Sequence, residues 1–163
     1  MIVVADTSVI LNLALVGQDG LLTVLFREVF VPPAVRSEFV RLAASEGRFG
    51  GVALPSWIQI RQPTVIPETV SRNPELDRGE TEALALAVEM HADAVLIDEA
   101  AGRRAALELG LTPVGVLGIL VRAKRYGQLA AVAPVIDALL TRAQFRASPE
   151  LLHEVLRMAG EAP

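Results

Sequence analysis

The hydrophobic positions fall into short unbroken runs separated by amphipathic stretches. Ile2-Val3-Val4-Ala5 is a strand-length apolar run that ends in Asp6-Thr7-Ser8. Apolar residues then recur at helical spacing (Val9, Ile10, Leu13, Ala14), predicting a helix from about Ser8 to Val16. A second short helix is expected over Leu21–Phe26, a strand at Val29–Val31, and a helix opened by Pro32-Pro33 that ends near Glu46-Gly47. Arg48 to Ser56 reads as loop and Trp57–Arg61 as an alternating edge strand. Residues 62 to 76 read as a proline-bearing surface connection.

Asp77-Arg78-Gly79-Glu80 fits a capping box before a helix apolar on most sides, Ala83 to Val88, which predicts burial. Ala94-Val95-Leu96-Ile97 repeats the opening form, a strand ending in Asp98-Glu99 before a helix to about Leu109, with Gly110 placed as its C-terminal glycine. Pro113–Val116 reads as the last strand, followed by helices over about 117–126, 131–142 and 149–159. Strands alternating with helices predict an α/β fold with a mostly parallel sheet. The expected organisation is one domain over 1–163, with a core of about 1–126 and a C-terminal helical extension of about 127–163.

Composition narrows the chemistry. The chain has 163 residues, more than half hydrophobic with few aromatics, and a net charge of −4, which disfavours a protein that coats nucleic acid by bulk charge. With no cysteine, disulfides, thiolate catalysis and Cys-ligated zinc are excluded. His91 and His153 are too few and too separated to suggest a histidine metal site, so any metal would be oxygen-ligated, magnesium or manganese before zinc. No uncharged apolar stretch reaches about 18 residues, so neither a signal peptide nor a membrane span is expected, and the plain reading is cytoplasmic.

Asp6, Glu38, Glu80 and Asp98 stand at element starts or ends beside apolar residues. Each has a structural reading: Asp6 and Asp98 as caps of the helices that follow, Glu38 as an exposed helical residue, Glu80 as half of the capping box. Together they ask for more, because capping does not require an acid to follow a fully apolar strand twice at one edge of a sheet. At about 5 Å and an effective dielectric near 20, each carboxylate pair repels by roughly 3 kcal/mol. Such a cluster would protonate or splay unless a cation sat in it, and carboxylates with Mg²⁺ or Mn²⁺ are the equipment of phosphodiester hydrolysis.

Four stretches occur in order: Val-Val-Ala-Asp6-Thr7-Ser8, Val31-Pro32-Pro33-Ala34-Val35 with Glu38 behind it, Gly79-Glu80-Thr81-Glu82-Ala83, and Leu96-Ile97-Asp98-Glu99. The set resembles the PIN-domain nucleases, notably the toxins of VapBC-type toxin–antitoxin pairs. The Gly-Glu-x-Glu-Ala helix start, the later Gly115-Val116-Leu117-Gly118-Ile119-Leu120 and the tail Gln144–Ser148 resemble one uncharacterised branch of that superfamily. The resemblance implies a three-layer PIN-like sandwich with added C-terminal helices. It implies a metal-dependent endoribonuclease, with Asp6, Glu38, Glu80 and Asp98 holding Mg²⁺ or Mn²⁺, Ser8 hydrogen bonding to a metal ligand or water, and Glu99 as a fifth acid. It also implies an RNA substrate, an antitoxin partner and a homodimer. Many of these toxins carry Asp where Glu80 stands.

Arg103, Arg104 and Lys124 are candidate RNA phosphate contacts, set against a plain reading as solvated charges. Two other readings compete with the enzyme. One is a PIN-fold module that binds RNA or a protein without turnover. The other is a phosphotransfer domain with Asp6 as nucleophile, which Ser8 in place of a second Asp disfavours.

Overall fold

The hydrophobic strands assemble at the centre of the molecule because their residues have no polar face to leave in water. In a computed structural model describing residues 1–45 and 47–161, β1 (Ile2–Ala5), β2 (Glu28–Val31), β3 (Gln59–Ile60), β4 (Ala94–Leu96) and β5 (Pro113–Val114) form one sheet. Its order is β3-β2-β1-β4-β5 and every pairing is parallel. Val3, Val4 and Ala5 of β1 and Val95 and Leu96 of β4 are fully buried, as continuous apolar runs covered on both faces must be. Helices flank the sheet, giving the expected three-layer α/β architecture.

The topology positions the site. From β1 the chain steps outward to β2 and β3, then returns to place β4 on the other side of β1. The order of connection reverses between β1 and β4, which leaves a crevice at the carboxyl ends of those strands. Val4 pairs with Val95 and Ala5 with Leu96, and the Asp6 N–H donates to Leu96 O at 2.9 Å. Asp6 and Asp98, the residues that end these runs, therefore stand on the two walls of one crevice.

The helices are α1 (Thr7–Leu15), α2 (Leu21–Leu25), α3 (Pro33–Ser45), α4 (Glu68–Ser71), α5 (Arg78–Glu89), α6 (Ala100–Glu108), α7 (Val116–Arg125), α8 (Ala133–Arg142) and α9 (Pro149–Met158). The expected elements are present with ends shifted by one or two residues, except in three segments. Only Gln59 and Ile60 of the expected strand 57–61 pair, because the Ile58 N–H turns back to Pro55 O and the Ile58 side chain drops into the core. The 62–76 connection carries the one-turn helix α4, pinned by buried Val70. A 3₁₀ turn, Gly47–Phe49, sits in the expected loop and buries Phe49. Glu46, at the expected end of α3, lies outside the described residues, as do Ala162 and Pro163 of the expected extension.

Gly110 and Gly127 close α6 and α7 with φ of 74° and 71°, a backbone region that costs glycine nothing. Val135, Ile136 and Leu139 of α8 and Val155 of α9 belong to the same continuous core as the sheet. The tail is tied back by Glu161, whose carboxylate accepts from the N–H groups of Val132 (2.7 Å) and Ala133 (3.1 Å) at the start of α8 and pairs with Lys124 at 3.1 Å.

Candidate metal centre

Four backbone elements deliver carboxylates to the crevice. Asp6 follows β1 directly, and its side chain makes no cap bond to α1. Glu38 comes from the second turn of α3, and its Oε2 accepts the Thr7 hydroxyl at 2.7 Å. Asp77 and Glu80 come from the start of α5 and form the expected capping box: Glu80 N–H to Asp77 Oδ1 at 2.7 Å, Asp77 N–H to Glu80 Oε2 at 2.9 Å. Asp98 follows β4. It does not cap its own helix α6, as one reading of the sequence would have it. Its Oδ1 accepts the Val116 N–H at the start of α7 at 3.1 Å.

Two glycines make the approach possible. A Cβ on Gly79 would lie 3.0 Å from Glu38 Oε2, 3.4 Å from Asp77 Oδ1 and 3.5 Å from Asp6 Oδ1, so oxygens from three elements surround one backbone point. A Cβ on Gly115 would collide with Asp98 Oδ1. The Gly-Glu-x-Glu-Ala motif thereby acquires a physical meaning. Gly79 admits the carboxylates, Glu80 supplies one, Glu82 accepts the Ala34 N–H at the start of α3 at 3.1 Å, and Ala83 packs fully buried.

The electrostatics follow from burial. Asp6 is 4% exposed and its pKa rises from the usual 3.8 to about 8. Burial is the main cause; the Thr7 backbone N–H offsets part of it, and the carboxylates of Asp77, Glu80 and Glu38 add to it. Burial also raises Glu80, with the Asp77 N–H opposing and Asp77, Glu99 and Glu38 contributing. Asp98 is raised to about 6 by burial, against the Val116 N–H and the nearby Arg103 guanidinium. Among the described residues, Asp6 Oδ1, Ser8 Oγ and Glu80 Oε1 are buried without a hydrogen-bond partner, and all three residues line this crevice. Such atoms each cost about 1–3 kcal/mol when left unpaired, so a ligand that meets them is stabilised accordingly.

A family model described as PIN domain matches residues 2–161. The chain belongs to the PIN-domain family. No curated protein matches it at a significant level. PIN domains are generally nucleases and typically use divalent metals, so the fold here is a nuclease fold.

The donors of this PIN domain fit a divalent cation in kind: oxygen only, anionic, with two carboxylate oxygens buried and unpartnered. They are not drawn up around an ion. Among the described residues no group of three or more His, Asp or Glu has the spacing to hold one as it stands. Glu38 is held by Thr7 and Asp98 by Val116.

The structure separates the remaining candidates. Ser8 lies in the crevice, and Glu99 lines it from the N-cap of α6. Arg103 also lines it, donating to Ile97 O at 3.1 Å. Arg104 pairs instead with Glu75 at 3.1 Å, and Lys124 with Glu161, so neither contributes to the crevice wall. Sequence reasoning gave Asp77 only a capping role and overlooked Thr7. Asp77 sits one turn from Glu80, and that spacing is the signal that places its carboxylate on the crevice beside Glu80.

Proposed function

We propose that this PIN domain is a Mg²⁺- or Mn²⁺-dependent endoribonuclease, acting in the cytoplasm as the toxin of a toxin–antitoxin pair. The observation that carries the reading is the pair of buried, unpartnered oxygens, Asp6 Oδ1 and Glu80 Oε1, at the switch point of a nuclease fold. Asp6, Glu38, Glu80 and Asp98 would hold the ion, with Glu99 and Asp77 as further carboxylates lining the same crevice. A bound divalent ion supplies polarisation of a phosphoryl oxygen and a lowered pKa for an attacking water. The chain supplies placement: Thr7 orients Glu38, Val116 orients Asp98, and the capping box fixes Glu80 with one oxygen free. Ser8 Oγ is available to hydrogen bond to a ligand or water. The toxin role, an antitoxin partner and a homodimer rest on the resemblance to VapBC-type toxins.

The test is cleavage of a total RNA pool by purified protein with Mn²⁺, with Mg²⁺ and with chelator, beside Asp6→Asn. Metal-dependent cuts lost in the variant are expected. A second reading, a PIN-fold module without turnover, is favoured by the engagement of Asp98 and Glu38 in bonds within the protein. It would leave the pool intact under all three conditions.

A further inference from the structure

The crevice does not end at the acids. It continues as one groove of about 1580 Å³ along α7 to the 143–146 segment and α9. The charge along this groove is polarised. Every carboxylate that lines it comes from the strand ends, α3 or the 75–80 segment, and α7 to α9 contribute no acid to it. That far end instead supplies Arg122, Arg125 and Arg146, in a chain whose net charge is −4. Arg125 and Arg146 are exposed and make no ion pair among the described residues, whereas the neighbouring Lys124 is neutralised by Glu161.

An aromatic stands among these cations. Tyr126 is 64% exposed, an unusual placement for one of only six Phe and Tyr residues in the chain. The Arg122 guanidinium lies 5.4 Å from its ring centroid and 5.7 Å from that of Phe26, and its Nη2 reaches Met1 Sδ at 2.8 Å. Arg122 is thus pre-ordered between two rings, and its buried Nε is unpartnered. An arginine so held backs the Tyr126 ring and leaves much of that ring in water.

We infer that the Arg122–Arg125–Tyr126–Arg146 end of the groove binds the single-stranded RNA that flanks the cleaved bond. The arginines would take phosphates and Tyr126 would stack one base. The inference rests on the ribonuclease reading for what sits at the acidic end. α7 joins the two ends: Val116, at its start, holds Asp98, and Arg125 lies about 14 Å further along at helical rise. Guanidinium groups with a solvent-exposed ring are the equipment for single strands, because every base has a face to stack and every nucleotide a phosphate. Duplex would lack the free base face.

The experiment is fluorescence anisotropy of a labelled 20-nucleotide single-stranded RNA of mixed sequence with the full chain, in chelator so that cleavage plays no part. Arg125→Glu/Arg146→Glu should weaken binding at least tenfold and lower the salt slope of log K by about 1.4, two single-strand phosphate contacts. Tyr126→Ala should weaken it about five- to a hundredfold, with Tyr126→Phe restoring wild-type affinity. Arg36→Glu/Arg41→Glu, an equal charge change on exposed residues of α3 away from the groove, should leave affinity within twofold. Equal losses in both arginine pairs would reduce the effect to bulk charge and overturn the inference. So would unchanged binding by the groove variants, or no binding by wild type at low salt, which would leave the groove to a protein segment. Cleavage with Mn²⁺ is scored separately: binding that follows the groove arginines without any cleavage would retain this subsite and remove the nuclease reading.

Discussion

Asp77 and Glu80 cap one another across the first turn of α5, through bonds of 2.7 and 2.9 Å. The pair starts the helix and also decides which Glu80 oxygen remains for chemistry: Oε2 is spent on the Asp77 N–H and Oε1 is left buried without a partner. Gly79 lies between them with Glu38 and Asp6 oxygens against its backbone. In Gly79→Ala the new methyl would meet Glu38 Oε2 at 3.0 Å, and a flexible carboxylate yields more readily than a helix. Alanine also favours the helix by about 1 kcal/mol over glycine. The melting temperature should therefore hold or rise while metal-dependent cleavage falls roughly ten- to a hundredfold. A parallel loss of stability and activity would contradict this account of Gly79.

The raised pKa values set the pH dependence of the metal-free protein. Asp6 titrates near 3.8 when unfolded and at about 8 when folded, so the folded state binds more protons between those limits. Its contribution is greatest below pH 4 and is lost as the pH rises through 8; Asp98, raised to about 6, acts in the same direction over the lower half of the window. Chelator-treated protein should lose stability, on the order of a few kcal/mol, from pH 5 to 8.5. Asp6→Asn should flatten the upper part of that decline. Thermal melts across the range decide it, and a stability that climbs toward pH 8.5 would be the wrong sign.

Gly115 is the only residue type that lets Asp98 reach the Val116 N–H, since a Cβ there would strike Asp98 Oδ1. Gly115→Ala should break the tie between β4 and α7 at a cost of about 1–3 kcal/mol. That is a fall of several degrees in melting temperature for a chain of this size, at roughly 2–4 °C per kcal/mol. Cleavage should fall together with stability, whereas in Gly79→Ala it should fall while stability holds. A melt indistinguishable from wild type would show that Asp98 does not depend on Val116.

Glu82 reaches from α5 to the first turn of α3, the helix that carries Glu38. Glu82→Ala leaves the Ala34 N–H without its acceptor and should cost about 1 kcal/mol. Glu82→Gln keeps an acceptor oxygen and should recover most of the loss. Urea titration of the two variants distinguishes a hydrogen-bonding role from a purely electrostatic one, which Gln would not rescue.

Much of this was legible in the chain because a strand-length apolar run can be satisfied only inside a sheet, and an acid at its end must then stand at the sheet's edge. Asp6 and Asp98 follow such runs, and parallel pairing of β1 with β4 brings them together. The Asp77–Glu80 box was readable from spacing alone. The partner of Asp98 was not, since Val116 lies 18 residues away and the contact depends on how β5 and α7 return to the sheet. The ion-pair partners of Arg104 and Lys124 were hidden for the same reason: sequence shows a charge but not the Glu75 or Glu161 that meets it. The strand at Trp57–Arg61 shortened because the core claimed Ile58, a tertiary demand that alternation cannot express.

The central claim is that these carboxylates take up a divalent cation. Calorimetric titration of wild type with Mn²⁺ at pH 7 tests it most directly, repeated in buffers of different ionisation enthalpy and beside Asp6→Asn. Saturable binding with release of protons is expected, because Asp6, at about 8, must lose its proton to become a ligand. Asp6→Asn should weaken that binding at least tenfold. Absence of saturable binding at millimolar Mn²⁺, or binding unchanged in Asp6→Asn, would contradict it.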